Sequence, residues 1–167
     1  MTGVAGDVVA IPRYEVGQQF AGPTRILNSQ RATWYSVGQL SAAMGRPMPP
    51  KQDIHTDPEL AAQQGLSAVI ANGMHSTSWI GALLAETFGI HYAAAGALRT
   101  KYIKPVIVGR PLTARAVVTA VDEAPVGIVG YRLDVWAEDD EGTRLTIGEA
   151  TVRVDPTLGG IVKGISE

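Results

Sequence analysis

The stretch 71–88 constrains the fold more than any other part of this 167-residue chain. Trp79, Ile80, Leu83, Leu84 and Phe88 spread over more than a narrow stripe of a helix, while Gly73, Ser76, Thr77, Ser78, Gly81 and Ala82 keep its girth small. Asn72 serves as the opening cap and Gly89 closes the run. A slim helix with so much apolar surface has to be buried against something broad.

That broad partner follows directly. After Gly96 the hydrophobic period changes from near 3.6 to two: Leu98, Thr100 and Tyr102 alternate with Arg99, Lys101 and Ile103 before Pro105, and 112–122, 127–138 and 143–155 read as three longer strands. Pro125 marks one connection and Asp139-Asp140-Glu141-Gly142 another. Both are too short for helical crossovers, so the pairing is antiparallel. The spacing therefore predicts an α+β fold in which an antiparallel sheet covers a long helix. Ahead of it, 25–45 has helical rhythm, with Trp34, Val37, Leu40 or Ser41, and Met44 on one face, Ser29 as cap, and Gly45 and Pro47 as the stop. Pro47, Pro49 and Pro50 stiffen the next connection. A short helix follows, capped by Asp57, with Pro58 at its first position and Gly65 at its end. Residues 1–155 are expected to form one domain and 156–167 a flexible tail.

Composition excludes several classes of function. With 14 Lys+Arg against 16 Asp+Glu, 46% hydrophobic residues and 18% charged ones, the chain has a core-forming composition and no broad attraction for nucleic acid or anionic lipid. It contains no cysteine, which rules out disulfides and thiolate nucleophiles. No run reaches the roughly 18 apolar residues of a membrane span. Residues 1–11 lack the basic-then-apolar grammar of a secretory signal, so a cytoplasmic protein is the expectation.

Proton-transfer chemistry near neutral pH directs attention to the three histidines. His55 is flanked by Asp53 and Asp57. A carboxylate can orient an imidazole and raise its basicity, which makes His55 a candidate general base or acid with Asp53 beside it, while Asp57 is structural as a helix cap. At Ala71-Asn72-Gly73-Met74, backbone donors at a helix start are unpaired, and Gly73 has no side chain to obstruct approach, so its N–H is a candidate oxyanion hole. Asn72 and His75 lie at the same helix mouth as candidate substrate contacts. Arg99 and Lys101, with Lys104 close behind, form a cationic edge for a substrate's phosphates, or face water. His91, in a loop after Gly89, is given a structural or exposed role, and Tyr35 and Tyr92 are candidate helpers. No pair of histidines has metalloprotease spacing and no glycine pattern makes a phosphate loop, so neither a metal nor a cofactor is expected.

Asp53-Ile54-His55-Thr56-Asp57-Pro58-Glu59-Leu60-Ala61, Ala71-Asn72-Gly73-Met74 and the Lys104-Pro105-Val106 to Gly109-Arg110-Pro111-Leu112 segment occur in the order seen in the MaoC-like enoyl-CoA hydratase and hydroxyacyl dehydratase family. The chain resembles that family from about Tyr14 to Val154. The resemblance implies a hotdog fold, an antiparallel sheet wrapped around the central helix, assembled as a homodimer or higher homo-oligomer, or with a heteromeric hotdog partner. It implies an acyl-CoA or acyl-carrier thioester as substrate, bound near the Asn72 helix mouth across a subunit interface, with His55 as catalytic histidine and Gly73 as oxyanion-hole residue.

One family residue is replaced: the acid five positions before the histidine is Pro50, which can neither accept nor deliver a proton. Asp53 is the nearest substitute, displaced by two residues, about 6 to 7 Å along extended backbone. Three readings follow: reversible hydration or dehydration of an α,β-unsaturated or 3-hydroxy acyl thioester; altered dehydration, isomerisation or cyclisation of another carbonyl metabolite; and a non-catalytic binding subunit of a heteromeric dehydratase.

Overall fold

The computed structural model describes residues 13–49 and 53–160. Its centre is a six-stranded antiparallel sheet. β1 (Gln19–Ala21) pairs with β4 (Pro111–Glu123), then β4 with β5 (Val129–Glu138), β5 with β6 (Arg144–Val154), and β6 with β3 (Ala97–Tyr102), while β2 (Arg25–Ile26) pairs with the start of β4. The three long strands fall where the alternation places them, within two residues at each end. Gly127 closes a 3-10 turn at Pro125–Gly127 instead of opening β5. Between β5 and β6 the acidic turn is held by Asp139, whose carboxylate accepts the Glu141 and Thr143 N–H groups at 3.0 and 2.8 Å, and Gly142 takes φ +77°, where a side chain would be strained.

The long helix α3 (Met74–Phe88) lies against β1, β4, β5 and β6. Ile80, Leu83, Leu84 and Phe88 are buried in one cluster with Ala116, Val118, Leu133, Val135 and Val152 of the sheet. At about 1.5–3 kcal/mol for each large side chain removed from water, this contact contributes substantially to the fold's cohesion. The helix begins later than expected, with Gly73 and not Asn72 in its cap position; Asn72, one residue earlier, accepts the Met74 N–H through Oδ1 at 3.0 Å.

The N-terminal helix departs from expectation. Helix α1 (Ser29–Met44) is capped by Asn28, whose Oδ1 accepts the Arg31 N–H at 2.9 Å, so Ser29 is its first residue and not its cap. Arg25–Ile26 is strand, not helix. The face α1 buries is that of Ala32 and Ser36, whereas Trp34 is 66% and Met44 55% exposed. Val37 and Leu40 of the expected face are half-buried. Gly45 ends α1 at φ +63°, as expected. Helix α2 (Pro58–Gln63) is capped by Asp57, whose carboxylate accepts the Glu59 and Leu60 N–H groups.

Two further observations concern His91 and the tail. His91 is not in a loop: it lies on helix α4 (Ile90–Ala95), is buried, and its Nδ1 accepts the Asp155 N–H at 3.3 Å. The first part of the expected flexible tail, Pro156–Gly160, is a 3-10 turn contacting α4, with Asp155 accepting from the Thr157 N–H and hydroxyl. The rest of the tail and Pro50 lie outside the described residues. Among the described residues no helix is long and apolar enough to cross a membrane.

Candidate active site

Residues 53–57 fold into a tight turn. The Asp53 carbonyl accepts the Thr56 and Asp57 N–H groups at 3.1 and 2.9 Å, and the Asp53 carboxylate accepts the His55 N–H at 2.9 Å and the Thr56 hydroxyl at 3.1 Å. This turn delivers His55 to Ile70. The Ile70 N–H donates to the Ile54 carbonyl at 3.3 Å, and the Ile70 carbonyl lies 3.0 Å from His55 Nδ1. A carbonyl can only accept, so Nδ1 carries the proton, and in the neutral ring Nε2 is the basic nitrogen. The group that orients this imidazole is therefore a backbone carbonyl. Asp53, expected to orient the ring, instead spends its carboxylate inside its own turn and faces a neighbouring hollow of about 540 Å³.

The second half of the site is the chain entering α3. Ala71 donates its N–H to the Val106 carbonyl at 2.7 Å and Val108 donates to Val69 at 3.1 Å, so 69–71 runs as a short extended rung against the segment that joins β3 to β4. The Asn72 carbonyl accepts the His75 N–H at 3.0 Å. The next peptide is held at both ends: Asn72 Oδ1 accepts the Met74 N–H, and the Gly73 carbonyl accepts the Ser76 hydroxyl at 2.8 Å and the Thr77 N–H at 3.3 Å. Between these fixed neighbours, the Gly73 N–H has no acceptor among the described residues. An unpaired N–H at the start of a helix is a ready donor to developing negative charge, and the helix dipole adds to it.

His55 and Gly73 open into one cavity of about 410 Å³. Leu66, Ile70 and Val106 give it apolar walls, Thr146 and Tyr102 contribute hydroxyl-bearing side chains, and Lys104 supplies a cation. Residue 73 has an ordinary helical φ of −55°, so glycine is needed for space and not for conformation. A Cβ there would meet the Tyr102 ring at 2.6 Å. Tyr102 is fixed over the glycine by a 2.9 Å hydrogen bond between its hydroxyl and Thr77.

The other residues singled out from sequence do not converge on this cavity. Asn72 acts through its capping oxygen, while its amide donates to Gln39 of α1 at 3.2 Å. The His75 ring packs on Tyr35, with centroids 4.4 Å apart, and its Nε2 is buried without a partner. Burial, followed by the nearby His55, lowers the His75 pKa from its ordinary 6.5. His75 and Tyr35 pair with each other and are not among the walls of the His55 cavity. Tyr92 packs against the hydrophobic core, where burial raises its pKa, and takes no part in the cavity. Arg99 and Lys101 line a different hollow of about 370 Å³ with Trp136, Arg144 and Glu149. Their alternation with Leu98, Thr100 and Tyr102, which turn toward α3, sends them to the opposite face of β3. Among the described residues, the cation that borders the cavity is Lys104.

Sequence reasoning missed four contributors: the Ile70 carbonyl, Tyr102, Ser76 and Thr146. Tyr102 was within reach, since it shares the inward face of β3 with Thr100. The Ile70 carbonyl carries no side-chain signal, and Ser76 and Thr146 are residue types that usually face water.

The model of the MaoC like domain family matches residues 51–137, just over half of the chain. Solved structures with the same architecture include the (R)-hydratase from A. caviae involved in PHA biosynthesis, at 23% identity and TM-score 0.63 over 85% of this chain and 98% of that one. A MaoC-like dehydratase from Rhodospirillum rubrum is similar at 16% identity and TM-score 0.66, over 84% and 92%. The C-terminally truncated HadBC complex, a 3R-hydroxyacyl-ACP dehydratase from Mycobacterium tuberculosis, is similar at 19% identity and TM-score 0.59, over 88% and 99%. At these identities the likeness is one of fold: the antiparallel sheet around a long helix is the hotdog fold. No curated protein matches the sequence.

Proposed function

The chain belongs to the MaoC-like domain family, and from that membership and the geometry of the site we propose that it adds water to, or removes it from, the α,β bond of an acyl thioester. The observation that carries this reading is the single cavity into which His55 and Gly73 both open.

In the hydration direction the thioester oxygen accepts the Gly73 N–H, which polarises the conjugated system. His55 Nε2 removes a proton from water as the water oxygen bonds to the β carbon. The π electrons move toward the thioester oxygen, and the enolate so formed is held by the Gly73 N–H and the positive end of α3. The imidazolium then returns its proton to the α carbon, and the site regains its starting charge. Dehydration runs the same steps backwards. One base suffices because its proton is returned within the cycle, so Pro50 in place of an acid does not block the scheme. These steps call on no metal or redox group. Lys104 at the cavity wall suits an anionic portion of a CoA or carrier thioester.

A second reading is favoured by Pro50: the chain is a non-catalytic binding subunit of a complex whose partner supplies the complete acid/base pair. HadBC and the ChsH1-ChsH2 complex from Mycobacterium tuberculosis, the latter similar at TM-score 0.57 and 16% identity, are complexes of this fold. Assays of the purified protein with short, medium and branched 2-enoyl thioesters separate the readings. Turnover by the chain alone that is lost in His55→Ala supports the first. Turnover only after a second, related chain is added supports the partner reading. Full activity without His55 contradicts the proton-transfer role.

A further inference from the structure

The buried faces of α3 and β6 are apolar apart from one residue each, and those two residues touch. Ser76 is 1% exposed and stands ahead of Ile80, Leu83, Leu84 and Phe88 on the inward face of α3. Thr146 is 0% exposed and shares the inward face of β6 with Ala150, Val152 and Val154. Their hydroxyl oxygens lie 2.8 Å apart. A cohesive core alone does not require a polar pair at this place, since replacing both partners of a buried hydrogen bond by apolar groups of the same shape is close to neutral.

The direction of the hydrogen bonds follows from counting protons. The Gly73 carbonyl can only accept, so the single hydrogen of Ser76 goes to it at 2.8 Å. Ser76 therefore has only a lone pair left for Thr146, and Thr146 is the donor. The result is a one-way chain, Thr146 to Ser76 to the Gly73 carbonyl, running from the middle of the sheet to the residue that bears the free N–H. Thr146 is well placed to anchor it. It pairs with Ala137 of β5 on one side and with Tyr102 of β3 on the other, and Tyr102 is the ring that lies over Gly73. Thr146 also borders the cavity that holds His55 and Gly73.

We propose that Thr146 and Ser76 are positioning residues for the Gly73 N–H: they hold the Gly73–Met74 peptide from the sheet side while Asn72 holds it from its N–H side, and this fixes the rotation at Gly73 that relates it to the Asn72–Gly73 peptide carrying the free N–H. This inference rests on the hydratase or dehydratase reading of the site. An oxyanion donor is effective only when aimed before charge develops, and a displacement of about 1 Å in a reacting arrangement can cost on the order of 100-fold. The hydroxyl relay supplies that aim through the Gly73 carbonyl.

The test compares wild type with Thr146→Val, Thr146→Ser and the double variant Ser76→Ala/Thr146→Val, each measured for kcat and KM on an enoyl thioester and for its urea unfolding midpoint. Thr146→Val is expected to lower kcat about 10- to 100-fold with little change in KM, the split expected when only the transition state loses stabilisation. Thr146→Ser keeps the donor and retains kcat. The double variant leaves neither hydroxyl unpaired, so it is expected to unfold near the wild-type midpoint while kcat stays low. That separation of stability from rate is one a merely structural pair would not show. Wild-type kcat in Thr146→Val overturns the inference, as does a double variant that regains both stability and kcat. If wild type turns over no enoyl thioester, alone or with a partner chain, the functional reading itself falls, and the inference with it; an active wild type with unaffected variants removes the inference alone.

Discussion

The two halves of the cavity are built in different ways. Around Gly73 every neighbouring peptide is committed: Ala71 to Val106, the Asn72 carbonyl to His75, and the 73–74 peptide to Asn72 at one end and Ser76 at the other. Around His55 the backbone forms one local turn, and the ring itself is held by a single hydrogen bond to the Ile70 carbonyl. The difference teaches how the work is divided. An oxyanion donor has to stay still while charge builds on the substrate, so it is braced by sheet and helix together. A base has to pass through a charged state, and a carbonyl at Nδ1 fixes the tautomer without cancelling the charge of the imidazolium as a carboxylate would.

Substitutions at the two halves should differ accordingly. The largest effect is expected on the His55 side: His55→Ala removes the only base in the proposed scheme and should lower kcat by about 10²–10⁴ with the fold intact by circular dichroism. A loss of less than about tenfold would move proton transfer elsewhere. On the braced side, Gly73→Ala should drive its methyl into the Tyr102 ring, lowering kcat/KM by about 10- to 100-fold and stability by about 1–3 kcal/mol. Adding Tyr102→Ala should restore much of the stability; if it does not, the contact with Tyr102 is not what requires glycine.

Smaller effects are expected from the carboxylates. Asp57→Ala should cost about 1 kcal/mol through the lost cap of α2, read by urea unfolding. Asp53→Asn keeps an oxygen for the His55 N–H, so kcat should stay within about threefold of wild type, whereas a loss beyond about 10² would return Asp53 to proton transfer. The smallest effect is one of pH. Because burial and His55 lower the His75 pKa, the unfolded chain takes up a proton near pH 6.5 that folded His75 refuses. Stability present above that pH should decline as pH falls and level off below the folded pKa. His75→Leu should flatten this part of the acid limb in unfolding titrations between pH 7.5 and 5, and an unchanged slope would assign the decline to other groups.

Much of this was legible in the sequence because it depends on periodicity and on side chains. Ile80, Leu83, Leu84 and Phe88 announced the buried helix, and the alternation along 112–122 and 143–155 announced the sheet. His55 and Gly73 stood out as an imidazole and a glycine, each beside a helix start. What escaped was carried by backbone or by tertiary contact. The partner of His55 is a carbonyl fifteen residues away, which no residue type encodes. The strands β1 and β2, of three and two residues, are too short to show a period, and they exist because β4 offers them an edge. Helix α1 misled because Trp34 and Met44 look like core residues, whereas Ala32 and Ser36 are small enough to let the helix settle. For Arg99 and Lys101 the alternation along β3 already held the answer: residues between inward-facing Leu98, Thr100 and Tyr102 point away from the helix.

The most direct measurement is a crystal structure of the protein with a non-reactive 3-hydroxyacyl or enoyl thioester analogue. The account predicts its carbonyl oxygen about 3 Å from the Gly73 nitrogen, with the β carbon or its oxygen facing His55 Nε2. A thioester seated instead in the outer hollow beside Arg99 and Lys101, or one whose carbonyl ignores Gly73, would contradict it.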